Sequence, residues 1–95
     1  MASSQSKRRA VVVGGMRTPF LKAFTDFTRL DTIALGVAAT RALLAKHDLP
    51  YRAVEGVVWG GVILPAGAPN VGREIALDLK LDPAAEAMTV TRACA

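Results

Sequence analysis

Two short apolar runs, each punctuated by a pair of glycines, restrict the folds open to this chain more than any other feature in it. The first is Ala10-Val11-Val12-Val13, ended by Gly14-Gly15, and the second is Val57-Val58-Trp59-Gly60-Gly61-Val62-Ile63-Leu64. Neither alternates apolar with polar, and both are rich in β-branched side chains. Strands covered on both faces of a parallel sheet have this character. Gly60-Gly61 inside the second run marks a bulge or the close approach of another backbone. Two parallel strands cannot be joined by a hairpin, so the chain between them must cross over, and a helix is the usual crossover.

That helix is legible. After a loop carrying Phe20, Phe24 and Phe27, whose default role is core packing, Thr28-x-x-Asp31 resembles a capping box. From there to about His47, the residues Leu30, Ile33, Ala34, Val37, Ala38, Arg41 and Leu44 fall on one stripe, apolar apart from Arg41. Lys46 and His47 lie in the last turn, where positive charge suits the dipole, and Pro50 stops the helix. Behind the second strand, Pro65-Ala66-Gly67-Ala68-Pro69 is a loop. Asn70 is a good N-cap for a short helix from Val71 to about Leu79, with Val71, Ile75 and Leu79 stacked at i, i+4 and i+8. Arg73 on this helix is expected in a salt bridge, with an anionic ligand as the alternative. Asp82-Pro83 closes the loop before a third strand, Met88-Thr89-Val90-Thr91, which runs into Arg92-Ala93-Cys94-Ala95.

The order is β-α-β-α-β in an α/β fold, with no repeats and no linker. Right-handed crossovers put every loop that follows a strand along one edge of a parallel sheet, the edge where such sheets hold ligands. Gly14 to Phe27, Leu64 to Asn70, and Cys94 are expected to share it. Cys94 is the only cysteine. A free cysteine by default packs as a small apolar side chain; one presented where a strand ends is placed to act as a nucleophile, the thiolate being the reactive form. The only histidine, His47, sits beside Lys46 and Asp48 at a helix end, which suits a solvated capping role better than that of general base to Cys94.

Composition removes several function classes. The chain of 95 residues is 52% hydrophobic and 5% aromatic with a net charge of +4, a globular make-up without a disordered signature. No apolar run approaches the ~18 residues of a membrane span. A single cysteine makes no internal disulfide, which fits a reducing, cytoplasmic compartment, and one Cys with one His is too few for zinc, so no metal site is expected. Much of the excess charge sits in Lys7-Arg8-Arg9; the other basic residues are scattered among acids without stacking aromatics, so nucleic-acid binding is not expected. Gly14 and Gly15 are adjacent, and no G-x-G-x-x-G opens a helix after the first strand, which excludes a Rossmann cofactor site. Residues 1–9 are set apart as a disordered or appended head.

Four segments in order resemble the thiolases. Ala10-Val11-Val12-Val13 with Arg17-Thr18-Pro19-Phe20 looks like their first strand and R-T-P-F loop. Val58-Trp59-Gly60-Gly61-Val62 resembles their second strand, and Asn70-Val71-Gly72-Arg73-Glu74 their N-x-x-R helix start. Val90-Thr91-Arg92-Ala93-Cys94-Ala95 matches the opening of the thiolase acyl-enzyme signature. Thr91 stands where many thiolases carry Asn, which fits the 3-ketoacyl-CoA thiolases that partner a multifunctional β-oxidation subunit, and the signature breaks off at Ala95.

The resemblance implies a mostly parallel sheet, layered αβαβα in the full enzyme, with residues 10–95 as a partial thiolase N-terminal domain truncated after its nucleophile. It implies that Cys94 is the catalytic nucleophile, attacking the 3-keto carbon of an acyl-CoA, with its own backbone N–H helping to hold the oxyanion. Coenzyme A is then a substrate, with no covalently bound cofactor. The activating histidine, the second acid–base cysteine and the CoA-binding loops of the family lie further along a full chain. The 95-residue chain is therefore expected to be inactive alone. A homodimer or larger assembly through the region of the third strand is implied, with a multifunctional β-oxidation subunit as a further partner. A biosynthetic acetyl-CoA acetyltransferase and a non-enzymatic interaction module with a degenerate half-fold are the alternatives.

Overall fold

Two strands, β1 (Gly56–Gly60) and β2 (Glu86–Val90), pair in parallel, with Val57 opposite Ala87 and Trp59 opposite Thr89. The computed structural model describes residues 7–94. Before β1 comes the helix α1 (Thr32–Lys46) and a turn of 3₁₀ helix, Tyr51–Ala53; between the strands lies α2 (Val71–Asp78). The fold is α/β, and β1-α2-β2 is a parallel crossover unit, the second half of the β-α-β-α-β order read from the sequence.

Each helix has a local cause. Asp31 caps α1, its carboxylate accepting from the Ala34 amide at 2.7 Å. Thr28, expected to begin the capping box, instead lies in a turn, its amide bonded to the Thr25 carbonyl. Asp31 is the cap because it directly precedes the first helical residue, Thr32, which brings the Ala34 amide within reach of its carboxylate, whereas Thr28 lies a turn too early. Asn70 caps α2 as expected, accepting from the Arg73 amide at 3.1 Å. Both helices end in the same device. Beyond α1 the amides of Asp48 and Leu49 return to the carbonyls of Ala45 and Leu44, and beyond α2 those of Lys80 and Leu81 return to Leu77 and Ala76. Asp48 and Lys80, at φ 55° and 58°, take the left-handed conformation this ending requires.

The core is built on α2. Val71, Ile75, Ala76 and Leu79 are buried together with Leu44 and Leu81, and Ile33, Val37, Tyr51, Val54, Val57, Trp59 and Leu64 pack around them. Burying a side chain of this size contributes about 1.5–3 kcal/mol. The i, i+4, i+8 stack of Val71, Ile75 and Leu79 is thus the centre of the molecule. Gly36, unremarked in the periodicity, is a contact point: a Cβ there would collide with the Ile75 methyl and stand 2.9 Å from Trp59 Cζ2. α1 therefore approaches α2 and β1 through a glycine, while Ala38 and Arg41 on the expected stripe are exposed.

Three expectations are corrected. Ala10–Val13 is not a strand: Val11, Val12 and Val13 are exposed and, among the described residues, no backbone hydrogen bond engages them. Each strand of the two-stranded sheet keeps an open edge, yet among the described residues this run pairs with neither, and a strand has no existence apart from a ladder partner. Its course nevertheless suits a strand. Gly14 packs on His47 at the C-terminal end of α1, while Arg17 and Thr18 line a groove with Thr32, Leu35, Gly36, Ala39 and Trp59 toward the other end. The segment thus runs antiparallel to α1. Second, β1 stops at Gly60 instead of continuing to Leu64; one more amide, that of Gly61, reaches the Val90 carbonyl at 3.1 Å before the chain leaves the sheet. Third, the sheet is covered on one face only. Val57, Trp59, Ala87 and Thr89 face the helices, whereas Val58 (71% exposed), Met88 and Val90 face outward.

Of the phenylalanines, only Phe27 is half-buried; Phe20 and Phe24 are exposed, and the Arg17 guanidinium lies 4.4 Å from the centre of the Phe20 ring. In the N-terminal head, residues 1–6 lie outside the described residues. Among the described residues, no helix is long and apolar enough to cross a membrane.

Candidate active site

β2 points its carboxyl end at the one thiol. After Val90 the chain leaves the sheet, and the Ala93 amide bonds back to the Thr91 hydroxyl at 3.3 Å. Ala93 takes φ 48°, a conformation that costs a residue with a Cβ about 1–2 kcal/mol. Cys94 follows in the same turn, exposed and free. The expectation of a thiol directly at the strand end is refined to a thiol on a turn just beyond it. The default of a buried apolar cysteine does not describe Cys94.

Because β1 and β2 are parallel, the loop after β1 leaves from the edge where Cys94 lies. That loop ends at Asn70, the cap of α2, and the helix start is tied to β2 by side chains. Asn70 Oδ1 accepts the Thr89 hydroxyl proton at 2.8 Å, and Asn70 Nδ2 donates to the Ala87 carbonyl at 3.3 Å. The Gly72 amide donates to Thr89 Oγ at 2.9 Å. Two amides of the first turn of α2, those of Gly72 and Arg73, are therefore occupied by Thr89 and Asn70. The Arg73 guanidinium donates to the Ala85 carbonyl at 2.9 Å, so neither the expected salt bridge nor an anionic ligand is needed to place it.

The sequence pattern marks Thr89 only as one more β-branched residue of its strand. A further signal is its place: in a β-branched run it alternates onto the same face as Ala87, the face turned to the helices, and a polar side chain on a covered face needs partners. Asn70 is legible as a cap, and its second bond, across to β2, is not, because it joins residues 17 apart in the chain.

His47 lies at the other side of the molecule. It ends α1, its amide bonded to the Leu43 carbonyl at 3.3 Å, and the short connection to Gly56 brings that end to the amino edge of the sheet. Its ring is half-buried against Gly14, with Nε2 lacking a hydrogen-bond partner. It is not the solvated group that its charged neighbours implied, because the backbone before Arg17 crosses over it. The topology does not bring His47 and Cys94 together. Among the described residues, no group of three His, Cys, Asp or Glu is arranged to hold a metal ion.

Residues 10–95 match the family model described as thiolase, N-terminal domain. The chain belongs to the thiolase family. Among curated thiolases, the 3-ketoacyl-CoA thiolase of Aliivibrio fischeri is 41% identical and that of Shewanella sediminis 39% identical, each over 87 residues, or 92% of this chain. The alignments take in 20% of those proteins, so this thiolase chain spans about a fifth of the length of the relatives it matches. Among solved structures, the Acat5 thiolase from Ascaris suum in complex with coenzyme A superposes with a TM-score of 0.74 over 82% of this chain and 21% of that one, at 21% sequence identity. At that identity the likeness is one of fold: the α1-β1-α2-β2 arrangement is that of part of a thiolase.

Proposed function

We propose that the protein carrying this chain is a 3-ketoacyl-CoA thiolase in which Cys94 is the acylated nucleophile. The observation that carries the reading is the coincidence of the signature Val90-Thr91-Arg92-Ala93-Cys94 with an exposed turn at the carboxyl edge of the sheet. Support for the substrate class comes from relatives 39–41% identical that are named 3-ketoacyl-CoA thiolases, and from the coenzyme A complex of the Ascaris suum thiolase.

The chemistry follows from a thiolate nucleophile. Cys94 Sγ adds to the 3-keto carbon, and the oxyanion that forms is held by backbone donors, the Cys94 N–H among them. Collapse re-forms the carbonyl and breaks the bond between carbons 2 and 3. The electron pair leaves on the acetyl-CoA fragment, which takes a proton from an acid. The remaining acyl group is a thioester on Cys94. The thiol of free CoA, losing its proton to a base, attacks that thioester, and the shortened acyl-CoA leaves with Cys94 restored as thiolate. Dividing the reaction at a covalent intermediate replaces one difficult step by two easier ones. The acid and the base are assigned to segments of the family outside these residues, and the 95-residue chain alone is assigned no turnover.

Assembly as a homodimer or higher through the region around β2, association with a multifunctional β-oxidation subunit, and a cytoplasmic location belong to the same reading. The test is to incubate the full-length protein with a 3-ketoacyl-CoA, quench, and map the thioester by peptide mass. Acyl mass on the Cys94 peptide is expected; acyl mass on a different cysteine with Cys94 unmodified overturns the assignment.

A further inference from the structure

We propose that Asn70 and Thr89 are positioning residues for the Cys94 thiol, setting where β2 delivers it relative to the rest of the site. The proposal rests on the reading of Cys94 as nucleophile.

Thr89 sits in β2 with its hydroxyl fully engaged. It donates to Asn70 Oδ1 at 2.8 Å and accepts from the Gly72 amide at 2.9 Å. Asn70 adds a third bond from Nδ2 to the Ala87 carbonyl at 3.3 Å. Its Oδ1 also accepts from the Arg73 amide, so one oxygen serves both the helix cap and the strand. These bonds lock the start of α2 to two successive inward-facing positions of β2. The ladder fixes β2 to β1, but apolar contacts alone leave its placement against α2 non-directional; the bonds on both sides of the Thr89 hydroxyl make that placement directional.

What this governs is downstream. Only Thr91 to Ala93 separate the end of β2 from Cys94, and they are themselves folded back by the bond from the Ala93 amide to Thr91 Oγ. A displacement of β2 is therefore passed on to Cys94 rather than absorbed in a long loop. Nucleophilic attack demands a near-attack geometry, and a misplacement of about 1 Å can cost about a hundredfold in rate. Neither Asn70 nor Thr89 is assigned contact with the reacting atoms. They act through the backbone that carries the thiol.

The experiment uses the full-length protein and its Thr89→Val, Thr89→Ser and Asn70→Ser variants. Thr89→Val keeps the shape and removes the hydroxyl. Asn70→Ser keeps an N-cap oxygen and is too short to bridge to β2, so it tests the same link in a helix that is still capped. Single-turnover acylation of Cys94 by a 3-ketoacyl-CoA is measured together with the KM for CoA. Thr89→Val and Asn70→Ser are expected to slow acylation by about tenfold to a hundredfold with the KM for CoA little changed. Thr89→Ser, which restores the hydroxyl, is expected to recover most of the rate. Folded Thr89→Val or Asn70→Ser that acylates at the wild-type rate overturns the positioning role even where its thermal midpoint falls. Should Thr89→Val not fold, Asn70→Ser decides by the same criterion. A wild-type protein with no thioester on Cys94 overturns the nucleophile reading and this proposal with it, whereas a labelled wild type with unaffected variants overturns this proposal alone.

Discussion

The Gly72 amide donates to the Thr89 hydroxyl at 2.9 Å, and the same glycine is where α2 meets the backbone of β2. A Cβ at Gly72 would stand 2.9 Å from the Met88 carbonyl oxygen, 3.2 Å from Trp59 Cβ and 3.4 Å from Thr89 Oγ. Gly72→Ala is therefore expected to destabilise the fold by about 1–3 kcal/mol, the usual cost of overpacking, because a carbonyl in a ladder cannot swing aside. Chemical denaturation of the full-length protein measures it. A variant as stable as the parent shows that the helix can ride further from the sheet than the structure has it.

The two faces of α2 are expected to respond very differently to truncation. Ile75 is fully buried at the centre of the core, whereas Leu77 is 59% exposed. Ile75→Ala is expected to cost about 2–5 kcal/mol, the range for an emptied core site. Leu77→Ala is expected to stay within about 0.5 kcal/mol, as surface changes do. Equal effects measured by denaturant midpoints would place the core elsewhere.

Lys80 holds φ 58° just after α2 so that its amide and that of Leu81 reach the carbonyls of Leu77 and Ala76. A glycine adopts this conformation without the steric cost of a Cβ, at the expense of a more flexible unfolded chain. Lys80→Gly is expected to raise stability by about 0.5–1 kcal/mol, the steric relief exceeding the entropy loss. A fall in the thermal midpoint argues that residue 80 is not left-handed.

The uncovered face of the sheet bears Val58 and Met88, with Val90 at its edge, all exposed. A contiguous apolar face with an open strand edge is a template for association. The 95-residue chain by itself is expected to self-associate at micromolar concentration, and Val58→Lys to shift it toward monomer. Light scattering after size exclusion reads both. A monomeric parent chain with a fixed near-ultraviolet signal from Trp59 contradicts the expectation.

Cys94→Ser in the full-length protein is expected to lower thiolysis by orders of magnitude, since a hydroxyl is a far poorer nucleophile than a thiolate near neutral pH. Steady-state turnover at saturating substrate measures it, and near-normal activity excludes Cys94 as the covalent residue.

What the amino-acid order determined alone was whatever depends on neighbours within a turn or two of chain. The apolar spacing of Val71, Ile75 and Leu79, the Asn70 cap, the end of α1 near His47 and the strand character of Val57 to Trp59 and of Met88 to Val90 are of this kind. So are the four segments that resemble the thiolases. Tertiary structure decided the remainder, because strand pairing and burial are set by residues far away in the chain. Ala10–Val13 has the side chains of a strand, and lies exposed because it pairs with neither open edge of the sheet. Val58 and Met88 have the side chains of a two-sided core, and face outward because both helices pack on the other face. Thr89 looked like one more β-branched residue in a strand. Its hydroxyl acquired a role when the crossover carried Asn70 and Gly72 alongside it, a juxtaposition that no local pattern encodes.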